Sequence, residues 1–150
     1  MTRSVENKDS HTPFGHWLRH YCKDSKTGLA ITNLDYIVED FKSHRIMLLE
    51  EKSFGGNLHY GQSCTFWILD RVLRRHAMAQ MGYEYWGFFA LRFPKTSDMP
   101  GPGMTLNGNM ITCEQLVSHL NFEKKFCEGL ELPKPKGVQE TPGFHAGVRN

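Results

Sequence analysis

The sequence predicts an α/β fold, a mixed central sheet flanked by helices, and three observations predict it. Two apolar runs, "LAITNLDYIVEDF" (29–41) and "IMLLEEKSF" (46–54), lie on either side of the polar reversal "KSHR", the pattern of a β-hairpin. A long helix-forming stretch, "QSCTFWILDRVLRRHAMAQ" (62–80), follows them. Next comes "YEYWGFFALRF" (83–93), apolar on both alternating faces, as a central strand covered on both sides must be. An antiparallel hairpin followed by a helical crossover to a further strand gives a sheet of mixed direction.

"TPFGHWLRHYCKD" (12–24) reads as a short helix with Thr12 as N-cap and Pro13 at the first helical position, although Gly15 weakens it. "SKTG" marks a turn, and Leu29, Ile31, Ile37 and Val38 indicate the first strand of the hairpin. "GGNLHYG" is a glycine-rich loop, and the helix after it ends around Gly82. In that helix Gln62, Phe66, Leu69 and Leu73 are expected as a buried stripe, with Asp70, Arg71, Arg74 and Arg75 on the other side. "PKTSDMPGPG" is a loop or lid, and "MTLNGNMIT" a short hairpin turning at Asn107-Gly108. "TCEQLVSHLNFEKKFCEG" (112–129) reads as a helix capped by Thr112. One domain over residues 1–132 is expected, followed by a flexible tail, 133–150, with three prolines and three glycines.

Composition removes several function classes. The chain is 39% hydrophobic and 23% charged, ordinary for a globular domain, and no run of about 18 apolar residues could span a membrane. The first residues carry no apolar segment of signal-peptide type, so the cytosol is the expected compartment. A net charge of +2 does not announce a nucleic-acid partner, so any basic surface must be local. The four cysteines are far apart with no C-x-x-C pair, and free thiols are expected. His16 and His20, with Cys22 nearby, have the spacing of metal ligands, but no second cluster accompanies them and a packed helix face accounts for them more simply. "SFGGN" lacks the lysine spacing of a phosphate-binding loop, and no organic cofactor is expected.

One group of residues carries chemistry. Along a strand Glu50 and Lys52 share a face while Glu51 points to the other. Folding the hairpin about "KSHR" brings Asp35, a charge interrupting an apolar strand, roughly opposite the segment from Glu50 to Lys52. Two carboxylates supply hard oxygen ligands for Mg²⁺ or Mn²⁺, and a lysine beside them can orient a water or stabilise charge in a transition state. The plainer reading is a solvated ion pair at a strand end, worth little. Gln62, at the start of the following helix, would point toward the same strand end. His59 and Tyr60, in the loop before it, could touch a phosphate or a base. Arg71, Arg74 and Arg75 are either a solvated helix face or a patch for the phosphate backbone.

Asp35, then Glu50-x-Lys52 on the next strand, then Gln62 opening the next helix, resembles the PD-(D/E)XK nuclease superfamily in its small phage and bacterial members. The resemblance covers about residues 14–93. Asn33-Leu34 stands where a proline precedes the aspartate in the name-giving motif, and the carboxylate some branches add from the first helix has only Glu6, Asp9 and Asp24 near its ends as counterparts. The resemblance implies a restriction-endonuclease-like α-β-β-β-α-β core. It implies Asp35 and Glu50 as metal ligands, Lys52 as catalytic lysine and Gln62 as an accessory catalytic residue. It further implies a Mg²⁺- or Mn²⁺-dependent nuclease hydrolysing DNA in the cytoplasm of a bacterial cell, encoded there or by a phage. A homodimer would let so small a domain address two strands. The rival is a catalytically inactive module of the same fold that binds nucleic acid or a host protein.

Overall fold

The computed structural model describes residues 12–22, 25–27, 32–77 and 80–139. Where one domain was expected over 1–132, the chain divides into two compact units, Met1–Asn33 and Leu34–Asn150. In the first unit, helix α1 runs Pro13–Tyr21 and begins as expected: the Thr12 hydroxyl accepts the Gly15 N–H at 2.9 Å, and proline occupies the first turn. A single 3₁₀ turn, Ser25–Thr27, follows.

The second unit is built on a five-stranded mixed sheet in the order β1-β2-β3-β4-β5. Strands β1 (Tyr36–Asp40) and β2 (Arg45–Lys52) form the expected antiparallel hairpin, from Tyr36 opposite Leu49 to Asp40 opposite Arg45. Asp40 accepts the backbone N–H groups of Lys42 and Ser43, which fixes the reversal, and His44 takes a positive φ of 57° to complete it. The first strand is shorter than its apolar run. Residues 32–34 are irregular, and the part of the run at 29–31 lies outside the described residues. Of the three strands expected before the second helix, two are found among the described residues.

Helix α2 (Tyr60–Val72), extended by a π-turn over Leu73–Ala77, crosses to β3 (Glu84–Arg92), which lies parallel to β2. A short hairpin, β4 (Thr105–Leu106) and β5 (Asn109–Met110), adds to the far side of β3. Its turn residues Asn107 and Gly108 both have positive φ, the geometry that fits the twist of a two-residue hairpin. Helix α3 (Cys113–Leu120) opens on the Thr112–Gln115 capping box. It stops well short of 129, because Phe122 turns left-handed (φ 58°) to bury its ring against Trp86, and its carbonyl accepts from Arg45 at 2.8 Å. A strong packing contact has overridden local helix preference.

The sheet is covered on both faces. One core joins Met47, Leu49, Trp86, Phe89 and Leu91 to Leu116 of α3, and the other joins Leu48 and Phe88 to Phe66 and Trp67 of α2. The chain beyond 132 is not wholly loose: Leu132 is buried and Val138 packs on the α2 core, while residues 140–150 lie outside the described set. Among the described residues no helix is long and apolar enough to cross a membrane.

Candidate functional site

The hairpin register decides what the end of β2 meets. Tyr36 opposes Leu49, so Asp35, one residue beyond the ladder, falls opposite Glu50. Each acidic side chain then accepts a backbone N–H from the other strand, Asp35 N–H to Glu50 Oε2 at 3.2 Å and Glu51 N–H to Asp35 Oδ2 at 2.9 Å. These reciprocal bonds fasten the two carboxylates together at the strand end.

Alternation puts Glu50 and Lys52 on the face of Leu48, which is covered by α2. Glu50 is 2% exposed, a rare place for a carboxylate unless it is paired. Its Oε1 meets the Lys52 ammonium at 3.0 Å and accepts from Gln62 Nε2 at 2.9 Å, and the Gln62 Oε1 in turn accepts from Lys52 at 3.1 Å. Glu50, Lys52 and Gln62 therefore close a triangle. Even so, burial raises the Glu50 carboxyl above its ordinary range; Lys52 pulls it back, and the neighbouring Asp35 charge pushes it up again. Glu51 faces the other way, as alternation requires, and accepts from the Tyr36 hydroxyl at 3.1 Å.

Gln62 is the third residue of α2, because the helix starts at Tyr60, two positions earlier than its sequence suggests. His59, at the N-cap, and Tyr60 are exposed at the same end of the helix as Gln62. The proton of the Tyr60 hydroxyl is held more tightly than usual, chiefly through the neighbouring Cys64 thiol. The expected buried stripe is rotated: Ser63, Phe66, Trp67 and Asp70 face inward, and Leu69 is 39% exposed.

That rotation sets what the arginines touch. Asp70, expected in solvent, is buried and bonded to Arg74 Nε at 2.7 Å and to the Tyr85 hydroxyl at 2.7 Å. Arg74 is thus tied to a structural partner, and Arg71 lies 5.0 Å over the Trp67 ring. Arg75 is half-buried. Arg74 remains exposed and Arg71 is partly buried. The aromatic strand is core: Trp86, Phe88 and Phe89 are all buried.

The donor set suits a small hard cation. No group of three or more His, Cys, Asp or Glu side chains suited to a metal occurs among the described residues. Two adjacent carboxylates, Asp35 and Glu50, are nevertheless what Mg²⁺ commonly takes from a protein, with water and substrate phosphate filling its other positions. Sequence reasoning missed one cation at this edge. Arg92 ends β3 in register with Lys52, and the signal was available in the basic residues that close each of the two parallel strands. The chain matches no family model, and neither a curated protein nor a solved structure matches it significantly.

Proposed function

We propose that the chain is a divalent-metal-dependent nuclease hydrolysing phosphodiester bonds in DNA, built on a restriction-endonuclease-like core. One observation carries the reading: two strands and a helix bring Asp35, Glu50, Lys52 and Gln62 into a single hydrogen-bonded group at the carboxyl edge of a parallel strand pair. The order β1, β2, α2, β3 agrees with the later part of that core.

Asp35 and Glu50 would hold Mg²⁺ or Mn²⁺, which when bound polarises a phosphoryl oxygen and acidifies water. The chain's own contribution is positional. Reciprocal backbone bonds fix both carboxylates before substrate arrives. Gln62 holds Glu50 and Lys52 at set distances, and the Lys52 ammonium is placed to meet negative charge developing on the phosphate. A second reading, a module of the same fold that binds without cutting, draws on one feature: both Glu50 oxygens already accept hydrogen bonds, so the group is complete without a cation.

Incubating labelled single-stranded, duplex and branched DNA with Mg²⁺, Mn²⁺ or EDTA separates the two, with wild type beside Glu50→Ala. Metal-dependent cutting that disappears in the variant is the expected result. A folded wild-type protein that cuts none of these substrates would leave the binding module.

A further inference from the structure

A parallel strand pair presents both carboxyl ends at one sheet edge, where α/β folds commonly bind ligands. Lys52 and Arg92 lie in register there, on strands about 5 Å apart, and residues in register share a face. Arg92 is therefore a second cation beside the candidate catalytic lysine. The chain after each strand then folds into one structure. Phe54 donates its N–H to the Ser97 carbonyl at 2.9 Å, Gly55 donates to Phe93 at 3.0 Å, and Arg92 Nη2 donates to the Gly55 carbonyl at 3.0 Å.

These segments border an open cavity of about 330 Å³ lined by Gly55, Arg92, Lys95, Gly103 and Thr105 among others. Among the described residues two cations line it and no carboxylate does. Its size is at the lower end for ligand sites, right for a phosphate and its sugar rather than for a duplex groove. Gly55 has a positive φ of 72°, and a Cβ there would sit 2.9 Å from Lys95 Cγ, so a side chain would push the lysine aside. Phe54 is also left-handed (φ 51°), uncommon for a bulky residue, and the residue is 54% exposed. Strained residues pinned by surrounding bonds gather at ligand clamps. Here the strain presents an aromatic ring one residue from a cationic cavity.

We infer that this cavity binds a substrate phosphate next to the one being cut, with Phe54 stacking on the base of that nucleotide. A base lying on Phe54 has left the duplex stack, so the preferred substrate is an unpaired polynucleotide. The inference rests on the nuclease reading and narrows it.

The test is fluorescence anisotropy of a labelled 12-nucleotide single strand and of its duplex, in EDTA so that binding is read without cutting. Wild type, Lys95→Gln, Arg92→Gln and Phe54→Leu are compared, each first checked for unchanged melting. Lys95→Gln guards against a folding artefact, because among the described residues no hydrogen bond of the Lys95 ammonium holds the loop. Wild type should bind the single strand more tightly. Each lost cation should lower the slope of log affinity against log salt by about 0.7. Phe54→Leu should weaken single-strand binding roughly tenfold and leave duplex binding alone. In cleavage assays the three changes should raise KM with little effect on kcat. Circular and 5′-hydroxyl strands that behave like the 5′-phosphorylated strand assign the site to an internal phosphate, and a Lys95 effect confined to 5′-phosphorylated strands assigns it to a terminal one. Cutting by variants with wild-type KM, salt slope and strand preference would overturn the subsite and leave the nuclease reading standing. A wild-type protein that neither binds nor cuts would overturn both.

Discussion

Two buried carboxylates lie beneath α2, and they are built differently. Asp70 has one oxygen on the Arg74 guanidinium and the other on the Tyr85 hydroxyl, whose own proton is held more tightly by burial and by Asp70. Nothing further is asked of it: cation, hydroxyl and carboxylate are matched, and Arg74 then lies against the close crossing of Gly87 and Gly129. Glu50 has a cation and an amide as well, yet burial first, and then the second carboxylate beside it, raise its proton affinity. A matched carboxylate holds a fold together. One pressed against a like charge retains a demand for positive charge, and that is where a cation is gained most readily.

The largest expected effect separates the two sites. Asp70→Ala strands the Arg74 guanidinium and the Tyr85 hydroxyl, and should cost about 3 kcal/mol of stability in urea melts. The folded fraction should cut DNA at the wild-type rate. Lys52→Ala should do the reverse, lowering kcat on the order of 10²–10³-fold in a protein that still folds and binds DNA. If Asp70→Ala slows cutting by the folded protein as much as Lys52→Ala does, the division of roles is wrong.

A smaller effect concerns pH. Because the folded-state pKa of Glu50 is raised, its contribution to stability is fully present below the ordinary glutamate range and is lost as pH rises through the raised value. Glu50→Gln does not titrate. In EDTA, its melting temperature relative to wild type should therefore climb as pH is taken from about 4 to about 8. A Glu50→Gln difference that stays level across this range would remove the electrostatic argument for the site.

Legibility in the sequence followed the range of the signal. The β1–β2 hairpin, the Asn107-Gly108 turn and the Thr112 capping box are set by neighbours within a few residues, and all were readable. The meeting of Asp35 with Glu50 followed from the same hairpin, because a reversal of known position fixes what stands opposite what. The phase of α2 was not readable. Leu69 looks more apolar than Asp70, but Asp70 is buried because Tyr85, on a strand not yet formed when the helix is read alone, supplies its partner. The early stop of α3 has a similar cause, a Phe122 contact with Trp86 far away in sequence. Arg92 escaped notice because its neighbour Lys52 is 40 residues distant and is reached only through the parallel pairing.

The most direct test of the central claim is a thermal melt of wild type, Glu50→Gln and Asp70→Asn against increasing Mn²⁺, without DNA. At ten times the dissociation constant a bound ion stabilises the fold by about 1.4 kcal/mol, several degrees for a domain of this size. The account predicts that shift for wild type and for Asp70→Asn, and its absence for Glu50→Gln. Equal shifts in all three proteins, or none in wild type, would contradict it.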